Sequence, residues 1–150
     1  MTRFGSEVLT SNFPDDNGSA NPEVMAALHV HALAKTALTE AGVITSLRGT
    51  RLLVPVVARA DEVDEFGADK DSHIAAVTFK SHDGRVGLPV FTSVEALSLW
   101  DPNARPVPQT AELVARSCLD QKLDGLLIDM ASDHRCALGR AGIERLAGAN

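Results

Sequence analysis

The segment over residues 87–100 constrains the fold more than any other, because it joins the end of a strand to the start of a helix. An apolar run ends at Phe91, and Thr92 and Glu95 then have the spacing of a capping box ahead of a second apolar run. This spacing predicts a helix over residues 93–100 with Thr92 as its N-cap. A chain with such a junction is expected to pack helices against a sheet.

A long helix and an apolar strand are predicted in the first half of the chain. Asn21 supplies an N-cap with proline after it, and Gly42 supplies a stop signal, so we expect a helix over residues 22–41. The apolar run over residues 52–58 predicts a strand, in which Pro55 cannot donate a ladder hydrogen bond. We therefore expect this strand at a sheet edge, or with a bulge beside the proline.

A hairpin is predicted in the middle of the chain. The turn signal Asp83-Gly84 separates the apolar runs over residues 74–79 and 85–91. The proline-rich stretch over residues 105–108 then predicts an irregular crossing between two helices. The remaining expected elements are a helix over residues 109–122, a short buried strand over residues 126–128 and a terminal helix over residues 139–147.

The order of these elements predicts an α+β fold, within the broad α/β class. We expect a mixed, largely antiparallel sheet of about four strands with helices packed against it. A chain of 150 residues has the size of one domain. Its first residues show no sustained hydrophobic periodicity, so we expect a flexible N-terminal arm over residues 1–20 and a single domain over residues 21–150.

Two strings of residues resemble the SseB-like family, which occurs in many bacteria and is named for a serine-sensitivity phenotype. The first is Leu-Pro-Val-Phe-Thr-Ser over residues 88–93, followed by Trp100, and the second is Leu-Asp-Gly-Leu-Leu-Ile-Asp over residues 123–129. The resemblance covers about residues 36–131. It departs from the family pattern after Asp129, where many relatives continue with Asn-Pro. The resemblance implies a link with amino-acid metabolism and no defined reaction.

Charge and composition argue against several classes of partner. The chain has 14 basic and 20 acidic residues and a net charge of −6, which repels a phosphate backbone, and only six aromatic residues. We therefore expect no nucleic acid partner. No apolar run approaches the ~20 residues that span a bilayer, so we expect no membrane partner. Two cysteines and the lack of a signal-peptide pattern predict a cytoplasmic protein with reduced thiols.

The sharpest charge feature is an acidic segment between two predicted strands, with six acidic and two basic residues over positions 59–71. One interpretation is a solvated loop, and the other is a surface that docks on a basic partner. The predicted partner-binding residues are Asp61, Glu62, Asp64, Glu65 and Trp100.

The sequence lacks the common catalytic and cofactor motifs, including a phosphate-binding loop, a nucleophile elbow and a dinucleotide fingerprint. Cys118 is the simplest candidate nucleophile, although a cysteine on the apolar side of a helix is typical of a packed core. Asp133, His134 and Cys136 lie close together but lack the spacing of a zinc site. We therefore expect a protein that is not an enzyme and holds neither a cofactor nor a metal ion.

Three hypotheses follow for the function. The leading one is a cytosolic, non-enzymatic module that binds or regulates an unidentified protein through a surface of the sheet. The alternative is a small-molecule or anion sensor whose pocket lies at the predicted helix N-terminus, formed by Arg85, Thr92, Ser93 and Asp129. The second alternative is a weak cysteine-dependent hydrolase using Cys118. The sequence leaves open whether the chain forms a homodimer.

Overall fold

The computed structural model describes residues 16–58 and 74–148, which form helices packed against two small β-sheets. The helices are α1 (Pro22–Leu33), α2 (Ala37–Leu47), α3 (Val94–Trp100), α4 (Ala111–Asp120) and α5 (Arg140–Leu146). The strands are β1 (Arg51–Ala58), β2 (Ile74–Ala76), β3 (Phe79–Lys80), β4 (Val86–Val90), β5 (Arg105–Thr110), β6 (Gly125–Ile128) and β7 (Cys136–Leu138). The predicted α+β class is confirmed.

The strands form two sheets rather than the one sheet of about four strands that the sequence predicts. A three-stranded antiparallel sheet has the order β2-β1-β5, and a four-stranded sheet has the order β3-β4-β6-β7 with β4 and β6 parallel. The two sheets meet at a single bridge, in which the amides and carbonyls of Leu53 and Phe91 bond to each other at 2.8 and 2.9 Å. This bridge holds the end of β4 against the middle of β1.

The predicted helix over residues 22–41 is wrong in its length, because two helices occupy this region. The chain becomes extended at Ala34, and Thr36 then caps α2 by accepting a bond from the amide of Thr39 at 3.1 Å. The Thr39 hydroxyl accepts in turn from the Thr36 amide, which completes a capping box with threonine in the place of glutamate. That hydroxyl also lies 2.6 Å from Nδ1 of the buried His31, so it ties α2 to α1.

The predicted edge position for the strand with Pro55 is also wrong, since β1 is the central strand of its sheet. Leu53 directs its amide and carbonyl to Phe91, and the Pro55 carbonyl accepts from the amide of Val77 at 3.1 Å on the same side. The amide donor that Pro55 lacks would therefore lie on the side of β1 that faces Phe91 and Val77, between these two neighbours. The hydrogen bonds between β1 and β5 are not affected.

The proline-rich stretch predicted as an irregular crossing is the edge strand β5. Pro106 lies opposite Pro55 and Pro108 lies opposite Leu53, at positions whose backbone nitrogens face away from β1. The prolines thus remove donors only from the outer edge. Thr110 ends the strand and caps α4, so this helix begins later than the sequence predicts.

The predicted hairpin is only partly present. β3 and β4 form an antiparallel pair across the Asp83-Gly84 turn, in which Gly84 has a φ of 88°. Ile74–Ala76 pairs instead with β1 in the other sheet. The sequence also missed the edge strand β7, whereas β6 and α5 lie where strand and helix were predicted.

The main core lies between the inner face of the four-stranded sheet and helices α1, α2, α4 and α5. Its buried residues on the sheet are Leu88, Val90, Leu126, Ile128, Cys136 and Leu138, and those on the helices include Val24, Leu28, Val43, Leu47, Val114, Cys118 and Ile143. A smaller cluster of Leu53, Phe91, Ala96 and Leu97 lies under Trp100. Among the described helices none is long and apolar enough to cross a bilayer.

The residues before α1 are attached to the body of the protein through Arg51. Its guanidinium bonds to both carboxylate oxygens of Asp16 at 2.6 and 3.0 Å and to the carbonyls of Ser19 and Thr92 at 2.8 and 2.5 Å. The bond from Arg51 holds the pKa of Asp16 below its ordinary value of 3.8, despite an opposing effect of burial. Of the predicted flexible arm, only residues 16–20 lie within the described part of the chain.

We expect Asp16→Asn to lower the free energy of unfolding near pH 7 by about 1 kcal/mol, because it removes a charged hydrogen-bond acceptor. The folded pKa of Asp16 lies below the unfolded pKa, so this stabilisation is present above the unfolded value and disappears as the pH falls through the folded value. Urea denaturation over a pH series should show the gap between native chain and variant closing below about pH 4. A gap of constant size, or an equal effect of Asp120→Asn on the exposed side of α4, would contradict this role.

Candidate functional site

A cleft of about 370 Å³ with both polar and apolar lining lies beyond the carboxyl ends of the parallel strands β4 and β6. Ligand sites of sheets with parallel strands commonly occupy this position, because the strand ends leave a crevice between the loops that follow them. The lining residues are Asn17, Gly18, Ser19, Ala20, Met25, Thr92, Ser93, Glu95, Ala96, Leu99, Asp129, Ser132 and His134.

The floor of the cleft is a buried hydrogen-bonded pair formed by Thr92 and Asp129. The Asp129 carboxylate accepts from the Thr92 amide at 2.8 Å and from the Thr92 hydroxyl at 2.6 Å, and both residues are buried. Thr92 is therefore not the N-cap of α3. The cap is Ser93, whose hydroxyl accepts from the amide of Ala96 at 3.0 Å. The predicted capping box of Thr92 and Glu95 is wrong, because Asp129 accepts the hydrogen bond of the Thr92 amide that Glu95 would have accepted and Ser93 takes the N-cap position.

Asp129 has a left-handed backbone, with a φ of 51°, and its side chain is fully buried. This conformation costs most residues roughly 1–2 kcal/mol, although aspartate tolerates it better than most. The turn after Asp129 is closed by Ser132, whose amide and hydroxyl donate to the Asp129 carbonyl at 3.0 and 2.8 Å. The bonds of the carboxylate and of this turn together hold the strained position.

His134 completes the cluster from the far side of the turn. Its Nε2 atom lies 2.7 Å from the Asp129 carboxylate and 3.1 Å from the Ser132 hydroxyl. The imidazole ring meets the ring of His29 on α1 edge to face, with 5.2 Å between the ring centres. We refer to Thr92, Asp129, Ser132 and His134 as the Asp129 cluster.

The Asp129 cluster lacks the geometry of a nucleophilic triad. A catalytic histidine receives the acid on one ring nitrogen and activates the hydroxyl with the other, whereas here Asp129 and Ser132 both meet Nε2 of His134. The cluster is arranged to join two loops and to present polar atoms to the cleft.

The cysteines are placed unfavourably for thiolate chemistry. Both are free and buried, Cys118 on the inner side of α4 and Cys136 on β7. Burial raises the pKa of the Cys118 thiol to about 12 and that of the Cys136 thiol to about 11. Each thiol is therefore protonated near neutral pH and shielded from substrate. Within the described residues, no group of three or more His, Cys, Asp or Glu side chains could hold a metal ion.

The structure places three of the four predicted pocket residues together. Thr92, Ser93 and Asp129 line the cleft, whereas Arg85 does not. Arg85 lies at the β3–β4 turn, where its guanidinium is 3.3 Å from the carboxylate of Asp83. The cleft therefore has two carboxylates, those of Asp129 and Glu95, and no lysine or arginine among its described lining residues.

A second concave surface, which we call the sheet groove, lies on the outer face of the four-stranded sheet and has a volume of about 350 Å³. Gly87 pairs with Gly125 in the parallel ladder, so two neighbouring positions lack side chains. Phe79 lies opposite Gly87 on the edge strand β3, and Leu127 pairs with Ala137. The groove is apolar along its floor and has Lys80, Arg85 and Asp124 at its rim.

Trp100 connects the sheet groove to the smaller core cluster. Its ring centre lies 5.5 Å from that of the buried Phe91 and 6.0 Å from that of Phe79, which is 39% exposed. Of the predicted partner-binding residues, Trp100 therefore adjoins the groove. Asp61, Glu62, Asp64 and Glu65 lie outside the described residues.

We expect Asp129→Ala to lower the free energy of unfolding by about 3–5 kcal/mol, because it leaves the Thr92 amide buried without an acceptor and keeps a left-handed backbone at an alanine. Asp129→Asn retains the size and the backbone tolerance, so we expect about half of that loss. Urea denaturation followed by circular dichroism measures both values.

The matched control is Asp133→Ala, at an exposed position of the same loop, which should change the free energy of unfolding by less than about 0.5 kcal/mol. If Asp129→Ala were as mild as this control, the carboxylate would not be what holds the two strand ends together.

Comparison with protein families gives a match that includes the Asp129 cluster and the sheet groove. The family model described as the SseB protein N-terminal domain matches residues 24–145, which extends beyond the resemblance over residues 36–131 at both ends. Comparisons with curated proteins and with solved structures found no match. The family match covers well over half of the 150 residues and contains the Asp129 cluster and the sheet groove. The chain therefore belongs to the SseB family, in the region of its N-terminal domain.

Proposed function

We propose that this chain is a non-enzymatic module that binds an apolar segment of another protein, flanked by acidic residues, in the sheet groove. The observation that carries the proposal is the outer face of the four-stranded sheet, where paired glycines and exposed apolar side chains form a concave surface. Contiguous apolar surface that remains open to solvent is typical of an interaction site.

The shape of the groove follows from which side chains are absent. Gly87 and Gly125 leave a depression that Phe79 borders from β3 and whose floor includes the side chain of Leu127. A β-carbon added at Gly87 would lie 3.1 Å from Cδ1 of Leu127, so a side chain there would push into the floor of the groove. The volume suits a few inserted side chains rather than a flat protein surface.

The charged side chains at the rim of the sheet groove indicate which partner segment would bind there. Lys80 and Arg85 supply two cations to the rim of the groove, where Asp124 and, beside Arg85, Asp83 supply two carboxylates. The carboxylate of Asp124 is occupied by the amide of Val86 at 2.9 Å. Acidic residues beside the apolar anchor would complement the two cations and orient the segment.

We place this module in the cytoplasm, because both of its cysteines are free thiols and reduced thiols are typical of that compartment. The name of the family supports a regulatory role connected with amino-acid metabolism. The protonated, buried state of Cys118 argues against a hydrolase that uses this residue.

The proposal predicts the outcome of selecting a displayed library of short random peptides on the intact chain. Enriched peptides should combine apolar residues with Asp or Glu. Leu127→Asp should weaken their binding by more than about 10-fold, because it introduces a like charge into an apolar floor. Lys80→Glu combined with Arg85→Glu should shift the enriched peptides from acidic to basic flanks.

The control for this experiment is Leu113→Asp, which changes an exposed leucine on helix α4, outside the sheet groove, and should leave peptide binding unchanged. Peptides that bind the Leu127→Asp variant as tightly as the native chain would overturn the proposal. Enrichment of peptides without acidic residues would overturn the assignment of the partner's charge.

A second candidate function is a small-molecule sensor, which is favoured by the position of Thr92, Ser93 and Asp129 around a single cleft. The lining has the exposed carboxylate of Glu95 and no lysine or arginine among its described residues, which favours a ligand with an ammonium group and disfavours a simple anion. The hydroxyls of Thr92, Ser93 and Ser132 add hydrogen-bonding groups for the rest of such a ligand.

This second function predicts that serine or another amine in an amino-acid and polyamine panel raises the melting temperature. At about 100-fold above its dissociation constant, a ligand of the native state should raise it by about 5 °C or more. Glu95→Gln should reduce the shift, whereas Glu144→Gln on α5 should not. Absence of a shift across the panel, or a shift that both variants retain, would remove the support for an amine-binding cleft.

A further inference from the structure

Helix α1 has apolar residues on both of its faces. Val24 and Leu28 are buried in the core, on the same side as His31. The opposite side carries Val30, which is 54% exposed, and Leu33, which is 88% exposed. A helix at the surface of a globular protein normally has polar residues on its outer side, so an apolar outer side is typical of a helix that packs on both sides.

Four of the six exposed residues of the helix form one line, at Glu23, Ala26, Val30 and Leu33, and the exposed His29 lies beside it. We call these four residues the α1 stripe. Their spacings of three, four and three residues are those of a helix–helix seam. Leu38, at the start of α2, is 81% exposed and lies just across the turn that follows α1.

We infer that the α1 stripe binds the same stripe of a second copy of this chain, with the two helices antiparallel. In such a pair the two-fold axis passes close to Val30, and Ala26 of each copy faces Leu33 of the other, small against large. The exposed Glu23 lies at one end of the stripe and the exposed Lys35 follows the other end, so an antiparallel pair brings opposite charges together at both ends.

The charge distribution favours a second copy over other occupants. Between Glu23 and Lys35 the helix carries no Asp, Glu, Lys or Arg, so a paired stripe buries none of these charges. Each copy has a net charge of −6, and this like charge opposes association in general, so we expect the pairing to be weak. A 12-residue helix is about 18 Å long, so one helix pair buries less than a standard interface and we expect a micromolar or weaker dimer.

The dimer would leave the proposed binding surface open. α1 packs on the inner face of the four-stranded sheet, whereas the sheet groove lies on its outer face. The inference therefore goes beyond the proposed function and is tested separately from it.

Sedimentation equilibrium of the full chain over a wide concentration range tests the inference. We expect the mass to rise with concentration from 15.9 kDa toward twice that value. Val30→Glu should raise the dimer dissociation constant by more than about 10-fold, because it places two like charges beside the axis. Leu113→Glu on α4 is the matched control and should dimerise like the native chain.

The charge pair gives an independent test of the antiparallel arrangement. Glu23→Lys should weaken the dimer, and combining it with Lys35→Glu should restore it, since the swapped charges again meet in opposite pairs. A native chain that stays monomeric at all concentrations would overturn the inference, as would a dimer that Val30→Glu leaves intact. A swapped variant that remains as weak as Glu23→Lys would overturn the antiparallel pairing.

Discussion

The buried carboxylate of Asp129 is the point on which the two ends of the parallel strands depend. It accepts both donors of Thr92 and meets the ring of His134, so one side chain joins the loop after β4 to the loop after β6. Because Thr92 is held in this way, the cap of α3 moves to Ser93. The position of α3 in turn sets Trp100 against Phe91, close to the bridge between the two sheets. A single carboxyl side chain thus sets the shape of the cleft and the residue at which the helix beside it begins.

The two faces of the four-stranded sheet carry different kinds of side chain. The inner face supplies aliphatic side chains to a core that it shares with four helices. The outer face is lined with glycine and small or exposed apolar residues, and this difference is what creates a groove. If α1 pairs with a second copy, the two grooves of the dimer would both remain accessible. Such a dimer could hold two segments of one partner, and binding at both sites gains from the high effective concentration of the second segment.

The sequence predicted elements best where local signals act alone. The strand at β6, the turn at Gly84 and the helix after Phe91 all follow from short patterns of apolar and turn residues. The N-cap of α3 was placed one residue too early, because the partner of Thr92 is Asp129, which lies 37 residues away along the chain. No local pattern contains that information.

Other differences have equally specific causes. A proline lacks an amide donor and is therefore expected in an edge strand. Pro55 lies in the central strand β1, at a position where no hydrogen bond to a neighbouring strand needs its amide, so the predicted edge position was wrong. Arg85 was grouped with Thr92 because they are close in sequence, yet an extended strand between them separates the two by roughly 20 Å. Ser132 and His134 line the cleft only because the chain turns tightly after Asp129. The sequence alone does not predict this turn.

The outer edge of β5 has a consequence for the behaviour of the chain at high concentration. Pro106 and Pro108 leave that edge without amide donors at two alternate positions, so a strand from another molecule cannot form a continuous ladder there. Open strand edges are where folded domains begin to polymerise into cross-β aggregates. At the outer edge of β5 the two prolines therefore prevent the sheet from being extended by a strand of another molecule.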